Sequence, residues 1–238
     1  MGKNIVITGG TGRFGSNLKD IKTKHNLFFP NKKKLNILKQ DSIENYIKRN
    51  KADILIHLAG LSRPMSIHEN DISKSINLNI IGTANITKAC SNNNVKLIYF
   101  STNYVYPGTK GNYTEKDALL PVNNYAWSKL GGESSVQLYK NSLILRVCMT
   151  EKPFVHDKAF ANVKTSFMFH DDVAKVLFKV INHKGVLNLG GEAKYIYDFA
   201  KKDKENLKKI YLKKNDNIGM PFDSSINLQK LKKIIRKK

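Results

Sequence analysis

With 238 residues, of which 41% are hydrophobic and 25% charged, the chain can bury a full-sized core. Its composition excludes disorder, collagen-like repetition and a disulfide-stapled miniprotein. The formal charge of +22 comes from 36 Lys and only 5 Arg against 19 acidic residues; base and phosphate recognition leans on Arg forks, so this balance argues against nucleic acid as the partner and for solvated lysines.

Short apolar runs at residues 4–8, 26–29, 53–59, 96–101, 143–147 and 185–189 alternate with amphipathic stretches at 12–24, 42–50, 72–91, 124–140 and 171–183. The alternation predicts an α/β fold, a Rossmann-type parallel sheet with helices on both faces. Ser42 is the expected cap of the second helix, and Asp171 or Asp172 of the fifth. After residue 147 the pattern weakens, and residues 201–214 are lysine-rich with few apolar anchors. The expected organisation is therefore a main domain over residues 1–147 and a small lobe over 148–238, interleaved with the last strands and closed by a short helix at 226–231. No run approaches 18 apolar residues, which predicts no membrane span, and Cys90 and Cys148 without a C-x-x-C spacing fit a reducing cytoplasm.

The first run leads straight into Gly9-Gly10-Thr11-Gly12-Arg13-Phe14-Gly15. In a strand–turn–helix, Gly9 permits the tight turn, Gly12 lets the backbone approach a pyrophosphate, and Gly15 lets the helix pack close on the sheet. This reading makes residues 1–147 an NAD(P)-binding domain. The second strand ends in Phe29-Pro30-Asn31, followed by Lys32, Lys33 and Lys34. With no carboxylate there for a ribose 2′-OH, and with Arg13 as a further cation, NADP is favoured over NAD.

A tyrosine four residues before a lysine on a helix puts both on one face, where the ammonium can stabilise a phenolate. Chance alone gives about 1.5 such pairs in so lysine-rich a chain, and three occur: Tyr106/Lys110, Tyr125/Lys129 and Tyr197/Lys201. Pro107 and Gly108 break any helix after Tyr106, and Tyr197 falls in the later lobe. Only Tyr125/Lys129 opens a helix soon after a strand ending in Ser101-Thr102. Ser101, Thr102 and Tyr125 are thus expected to converge on a carbonyl oxygen.

The Gly9 to Gly15 turn, His57-Leu58-Ala59-Gly60, Asn79-Ile80-Ile81-Gly82-Thr83, Ser101-Thr102-Asn103-Tyr104 and Tyr125-Ala126-Trp127-Ser128-Lys129 follow one another as in extended short-chain dehydrogenase/reductases. The chain most resembles their dTDP-4-dehydrorhamnose reductase branch, although Asn103 stands where that branch carries Asp. The resemblance implies a nucleotide-sugar substrate reduced at a keto group. Thr102 would hold the carbonyl, Tyr125 would exchange the proton, and Lys129 would bind the nicotinamide ribose. Gly9, Thr11, Gly12, Arg13, Phe14 and Gly15 would hold the cofactor. Asp41 and Ser42 would lie by the adenine, with Leu58, Ala59 and Gly60 lining the cofactor and Asn79 in a structural role. Arg63, at the ligand edge of the sheet, and Asn103 are the substrate-binding candidates, and Arg146 is a weaker one. Pairing into a homodimer is also implied. An epimerase or dehydratase, or a non-catalytic NADP-binding scaffold, stands as the alternative. His156-Asp157 and His170-Asp171-Asp172 lack the spacing of a helical zinc site, so no metal is expected.

Overall fold

In the computed structural model, residues 2–216 and 219–236 are described. The chain runs β1 (Asn4–Thr8), α1 (Arg13–Asn17), β2 (Asn26–Phe28), α2 (Gln40–Arg49), β3 (Ile54–His57), α3 (Ile67–Asn70), α4 (Ile72–Ser75), a π-helical segment (Ile76–Ile81), α5 (Gly82–Asn92) and β4 (Lys96–Thr102). It continues through α6 (Asn124–Gln137), β5 (Ser142–Val147), β6 (Met149–Thr150), β7 (Lys158–Phe160), β8 (Lys164–Thr165), β9 (Met168–Phe169), α7 (His170–Val180), β10 (Gly185–Leu189), β11 (Lys194–Tyr195), α8 (Ile196–Ala200), β12 (Lys208–Ile210) and α9 (Gln229–Arg236).

Six strands form the main sheet in the order β10-β5-β4-β3-β1-β2. This is the Rossmann-like parallel sheet flanked by helices that the alternation predicts. Strands β1, β3, β4 and β5 are buried almost throughout, which is why they read as unbroken apolar runs rather than as alternating ones. β2 and β3 pair on opposite sides of β1, so the strand order reverses at β1 and β3, where Thr8 pairs with His57. An open α/β sheet presents its ligand crevice outside the carboxyl ends of the strands at such a reversal.

The chain divides into two compact units. In the first (Met1–Ser101, Trp127–Leu145 and Ile181–Val186), Val6, Leu55, Leu97, Tyr99 and Ile144 face Ile43 and Ile47 of α2, Ile86 and Cys90 of α5, and Val136 of α6. On the other face Phe14 of α1 packs on Phe100, with ring centroids 5.1 Å apart. The second unit (Thr102–Ala126, Arg146–Val180 and Leu187–Lys238) has its own core of Phe154, Ala159, Val163, Ile196, Ala200, Leu207 and Leu212. Small two-stranded pairings, β12 with β7, β11 with β8 and β6 with β9, surround it.

Several local expectations are corrected. The first helix stops at Asn17 instead of reaching residue 24. Gly15, Ser16 and Asn17 are weak helix formers, and the Ser16 hydroxyl donates back to the Arg13 carbonyl. α2 begins at Gln40 with Lys39 at its cap; Ser42 lies inside it, its hydroxyl accepting from the Asn36 amide at 3.0 Å. The helix expected over 72–91 widens into the π segment in its middle. Asp171 and Asp172 lie in the first turn of α7, which opens at His170. The closing helix starts three residues late, because Ile226 bridges Tyr113 and the Asn227 side chain accepts from the Gln229 amide at 2.9 Å. The lysine-rich stretch is better anchored than its composition suggests, since Leu207 and Leu212 flank β12 in the second core.

Candidate active site

The glycine turn leaves β1 under tight steric demand. Gly9 has φ +73°, and a Cβ there would lie 2.6 Å from the Ala59 amide nitrogen. At Gly15 a Cβ would meet the Gly9 carbonyl at 2.3 Å, whereas at Gly12 only that same oxygen comes near, at 3.1 Å. Gly12 donates its N–H to the Gly9 carbonyl at 2.9 Å, and Thr11, Gly12 and Arg13 are exposed. Two glycines are thus consumed in packing, and the third leaves bare backbone facing outward. A pyrophosphate needs that open cradle, so the turn fits a dinucleotide. Phe14 is buried against Phe100 and packs the cradle from beneath. The Arg13 guanidinium donates to the Ser62 hydroxyl at 2.9 Å, tying the turn to the loop after β3.

Behind the turn, hydrogen bonds fix His57 in one state. The Thr8 hydroxyl accepts from the Ala59 amide at 3.3 Å and lies 2.8 Å from His57 Nδ1. The Thr83 hydroxyl donates to the Asn79 carbonyl at 2.7 Å and so accepts from His57 Nε2–H at 3.2 Å. Nε2 therefore carries a proton, and because burial favours the neutral ring, Nδ1 accepts from the Thr8 hydroxyl. Burial, seconded by the Lys129 charge, pushes its pKa down to about 3.

Asn79, in the π segment, clamps both sides of the site. Its Oδ1 accepts from the Leu61 amide at 2.7 Å, and its Nδ2 donates to the Leu61 carbonyl at 2.9 Å and to the Ser128 hydroxyl at 2.8 Å. The structural role expected for Asn79 thus takes a concrete form, joining the loop after β3 to α6. α6 approaches closely because residue 132 is glycine; a Cβ there would meet the Asn79 carbonyl at 2.4 Å and the Tyr99 hydroxyl at 2.8 Å.

Lys129, half-buried on α6, places its Nζ 4.2 Å from the Tyr99 ring centroid, and the Tyr99 hydroxyl donates to the Lys129 carbonyl at 2.9 Å. Desolvation lowers the lysine pKa to about 7, opposed by the Glu133 charge one turn further along. Glu133 is buried and accepts from the Ser101 hydroxyl at 2.6 Å. The expected convergence of Ser101 on a substrate carbonyl is accordingly corrected: its hydroxyl is turned to Glu133. Glu133 and His57 are the residues whose roles spacing alone misses. Their signal in the sequence is a polar residue within an otherwise apolar strand or helix face.

Tyr125 lies in the first turn of α6, which Asn123 caps by accepting from the Ala126 amide at 2.8 Å. Thr102 is the last residue of β4 and buried, its hydroxyl accepting from the Tyr104 amide at 3.3 Å. Asn103 is also buried and donates to the Ser224 carbonyl at 3.1 Å. Tyr106, the tyrosine rejected for its Pro-Gly sequel, is a buried core residue, stacked on Tyr113 at 5.0 Å and donating to Asn188 at 2.8 Å. Arg146 donates to the Tyr106 hydroxyl at 2.9 Å and to the Glu115 carbonyl at 3.3 Å; it braces the core of the second unit and presents no fork to a nucleotide. Arg63 is exposed, as are Lys32, Lys33 and Lys34 after β2. Asp41 is exposed in the first turn of α2, and Leu58, Ala59 and Gly60 directly follow β3. Among the described residues no group of three or more His, Cys, Asp or Glu is placed to hold a metal ion, and no helix is long and apolar enough to cross a membrane.

Comparison with known proteins adds an independent line. A family model described as the RmlD substrate binding domain matches residues 3–150. The chain is 30% identical to methionine adenosyltransferase 2 subunit beta of Danio rerio, over 61% of this chain and 47% of that protein. It is 29% identical to dTDP-D-glucose 4,6-dehydratase of Dictyostelium discoideum, over 98% of this chain and 62% of that protein. The chain therefore spans less than two thirds of the length of either relative. The crystal structure of dTDP-4-dehydrorhamnose reductase from Bacillus anthracis in complex with NADP superposes with a TM-score of 0.84 at 23% identity, covering 98% of this chain and 92% of that one. At that identity the likeness is one of fold.

Proposed function

Because the chain belongs to the RmlD substrate binding domain family, we propose that it reduces the keto group of a nucleotide-linked deoxysugar, with NADP preferred and NAD as the alternative dinucleotide. The observation that carries this reading is Lys129: an ammonium set over the Tyr99 ring and drawn toward a neutral pKa by burial, one helical turn after Tyr125. The open backbone at Gly12 supports the cofactor assignment. The lack of a carboxylate after β2 supports NADP, as does the NADP in the similar Bacillus anthracis structure.

A reduced dinucleotide held by the glycine turn would supply the hydride for the carbonyl carbon. Thr102 orients the carbonyl oxygen, and Tyr125 gives that oxygen its proton. Lys129 stabilises the phenolate left behind and holds the ribose hydroxyls. Residues 1–147 form the dinucleotide-binding domain; Arg63, Asn103 and the lobe over 148–238 take the nucleotide sugar. The test is consumption of NADPH with dTDP-linked 4-keto sugars. Tyr125→Phe should lower kcat by about a thousandfold while NADPH binding persists, and an undiminished rate overturns the assignment.

Two relatives motivate competing readings. A dehydratase, as the name of the Dictyostelium relative suggests, or an epimerase would turn substrate over with no net loss of NADPH. A subunit of an assembly, as the name of the Danio relative suggests, is the second: a chain in a non-catalytic role would bind the dinucleotide and convert no nucleotide sugar.

A further inference from the structure

We propose that Glu133, fixed by the Ser101 hydroxyl, is a positioning residue that keeps Lys129 charged over the Tyr99 ring. The inference rests on the reading of Lys129 given above. A carboxylate that is 1% exposed is costly to bury unless it is hydrogen-bonded and faces a cation. Ser101 supplies the hydrogen bond at 2.6 Å. Lys129, four residues earlier on α6, supplies the cation, since side chains at this spacing stack on one helix face. Among the described residues, Glu133 is the charge that acts on the ammonium against its desolvation. Tyr99 from β4 lies 4.2 Å beneath it and offers its ring face, with its hydroxyl committed to the Lys129 carbonyl. His57 from β3 is neutral. Asn79 and Thr83, from the helical segments packed beside Gly132, contribute an amide and a hydroxyl. Tyr125 precedes Lys129 by one turn on α6 and is the phenol on which the ammonium is to act. Desolvation favours the neutral amine, and the Glu133 charge opposes it.

The experiment is a pH titration of 13C-labelled lysine side chains in the full chain without substrate, followed by NMR. One lysine resonance titrating near neutrality, absent in Lys129→Arg, is assigned to Lys129. In Glu133→Gln this resonance should titrate at a pH lower by about 1 or more; in Glu133→Asp, which keeps the charge, it should move less. Ser101→Ala should move it in the same direction as Glu133→Gln, by a smaller step, and keeps the test open should Glu133→Gln fail to fold. The kcat–pH profile is the second readout. The alkaline limb of Glu133→Gln should shift to lower pH, with about tenfold loss at pH 8 and recovery below pH 6.5; a purely structural defect lowers the rate equally at every pH. Unmoved titrations in both Glu133→Gln and Ser101→Ala overturn the proposal. A chain that reduces no nucleotide sugar overturns the reductase reading instead, and the titration stands apart from that outcome.

Discussion

A buried imidazole between two threonines can satisfy both nitrogens only if each hydroxyl turns the right way, and at His57 the Asn79 carbonyl fixes the turn of Thr83 while the neutral ring fixes that of Thr8. The cost appears in acid. With the folded pKa lowered to about 3 and an unfolded value of about 6.5, only the unfolded chain takes up the proton between these limits. The stability this site contributes is present above pH 6.5 and is lost as the pH falls toward 3, by roughly 3 kcal/mol at pH 4. His57→Gln, whose amide can accept from Thr8 and donate to Thr83, should flatten this acid limb, as urea unfolding at pH 4 and pH 7 would register. An unchanged difference between the two pH values would remove His57 from the account. Tyr125 and Lys129 could be read from spacing because a helix brings residues four apart together. His57 and Glu133 could not, because their partners Thr83 and Ser101 lie 26 and 32 residues away.

Among the elements, β1 and its glycine turn were the most legible. Buried parallel strands spell themselves as apolar runs, and steric demand at Gly9 and Gly15 leaves no other residue type. Helix ends were less so, because caps compete with nearby alternatives: Ser42 faces the Asn36 amide, and the Ser16 hydroxyl helps to stop α1. The π segment was not legible, and the partners of Asn79 within it, Leu61 and Ser128, lie 18 and 49 residues away. The same geometry separates the glycines by function. Gly15→Ala presses a methyl into the Gly9 carbonyl and should cost about 2 kcal/mol, seen as a lower thermal midpoint. Gly12→Ala should keep most of the stability and weaken NADPH binding; equal losses of stability in the two variants would contradict the division.

At the scale of the whole molecule the charge of +22, from 41 basic against 19 acidic residues, acts as self-repulsion, and ion pairs such as Lys175–Asp172 and Lys201–Asp198 are exposed and offset it little. Raising NaCl from 0.05 to 0.5 M should therefore raise the thermal midpoint by about 2–4 °C, and a fall in a scanning calorimetry trace would show that the surface pairs outweigh the repulsion. The second unit was the part the sequence left darkest. Its core gathers residues from 154 to 212 through strands of two or three residues, too short to show a period. The chain passes from one unit to the other five times, and this has a consequence during synthesis. The last piece of the first unit, Ile181–Val186, leaves the ribosome after most of the second has been made, so neither unit can close vectorially ahead of the other. The first unit is incomplete until residues 181–186 have emerged, and a nascent chain arrested at residue 147 should remain sensitive to protease throughout.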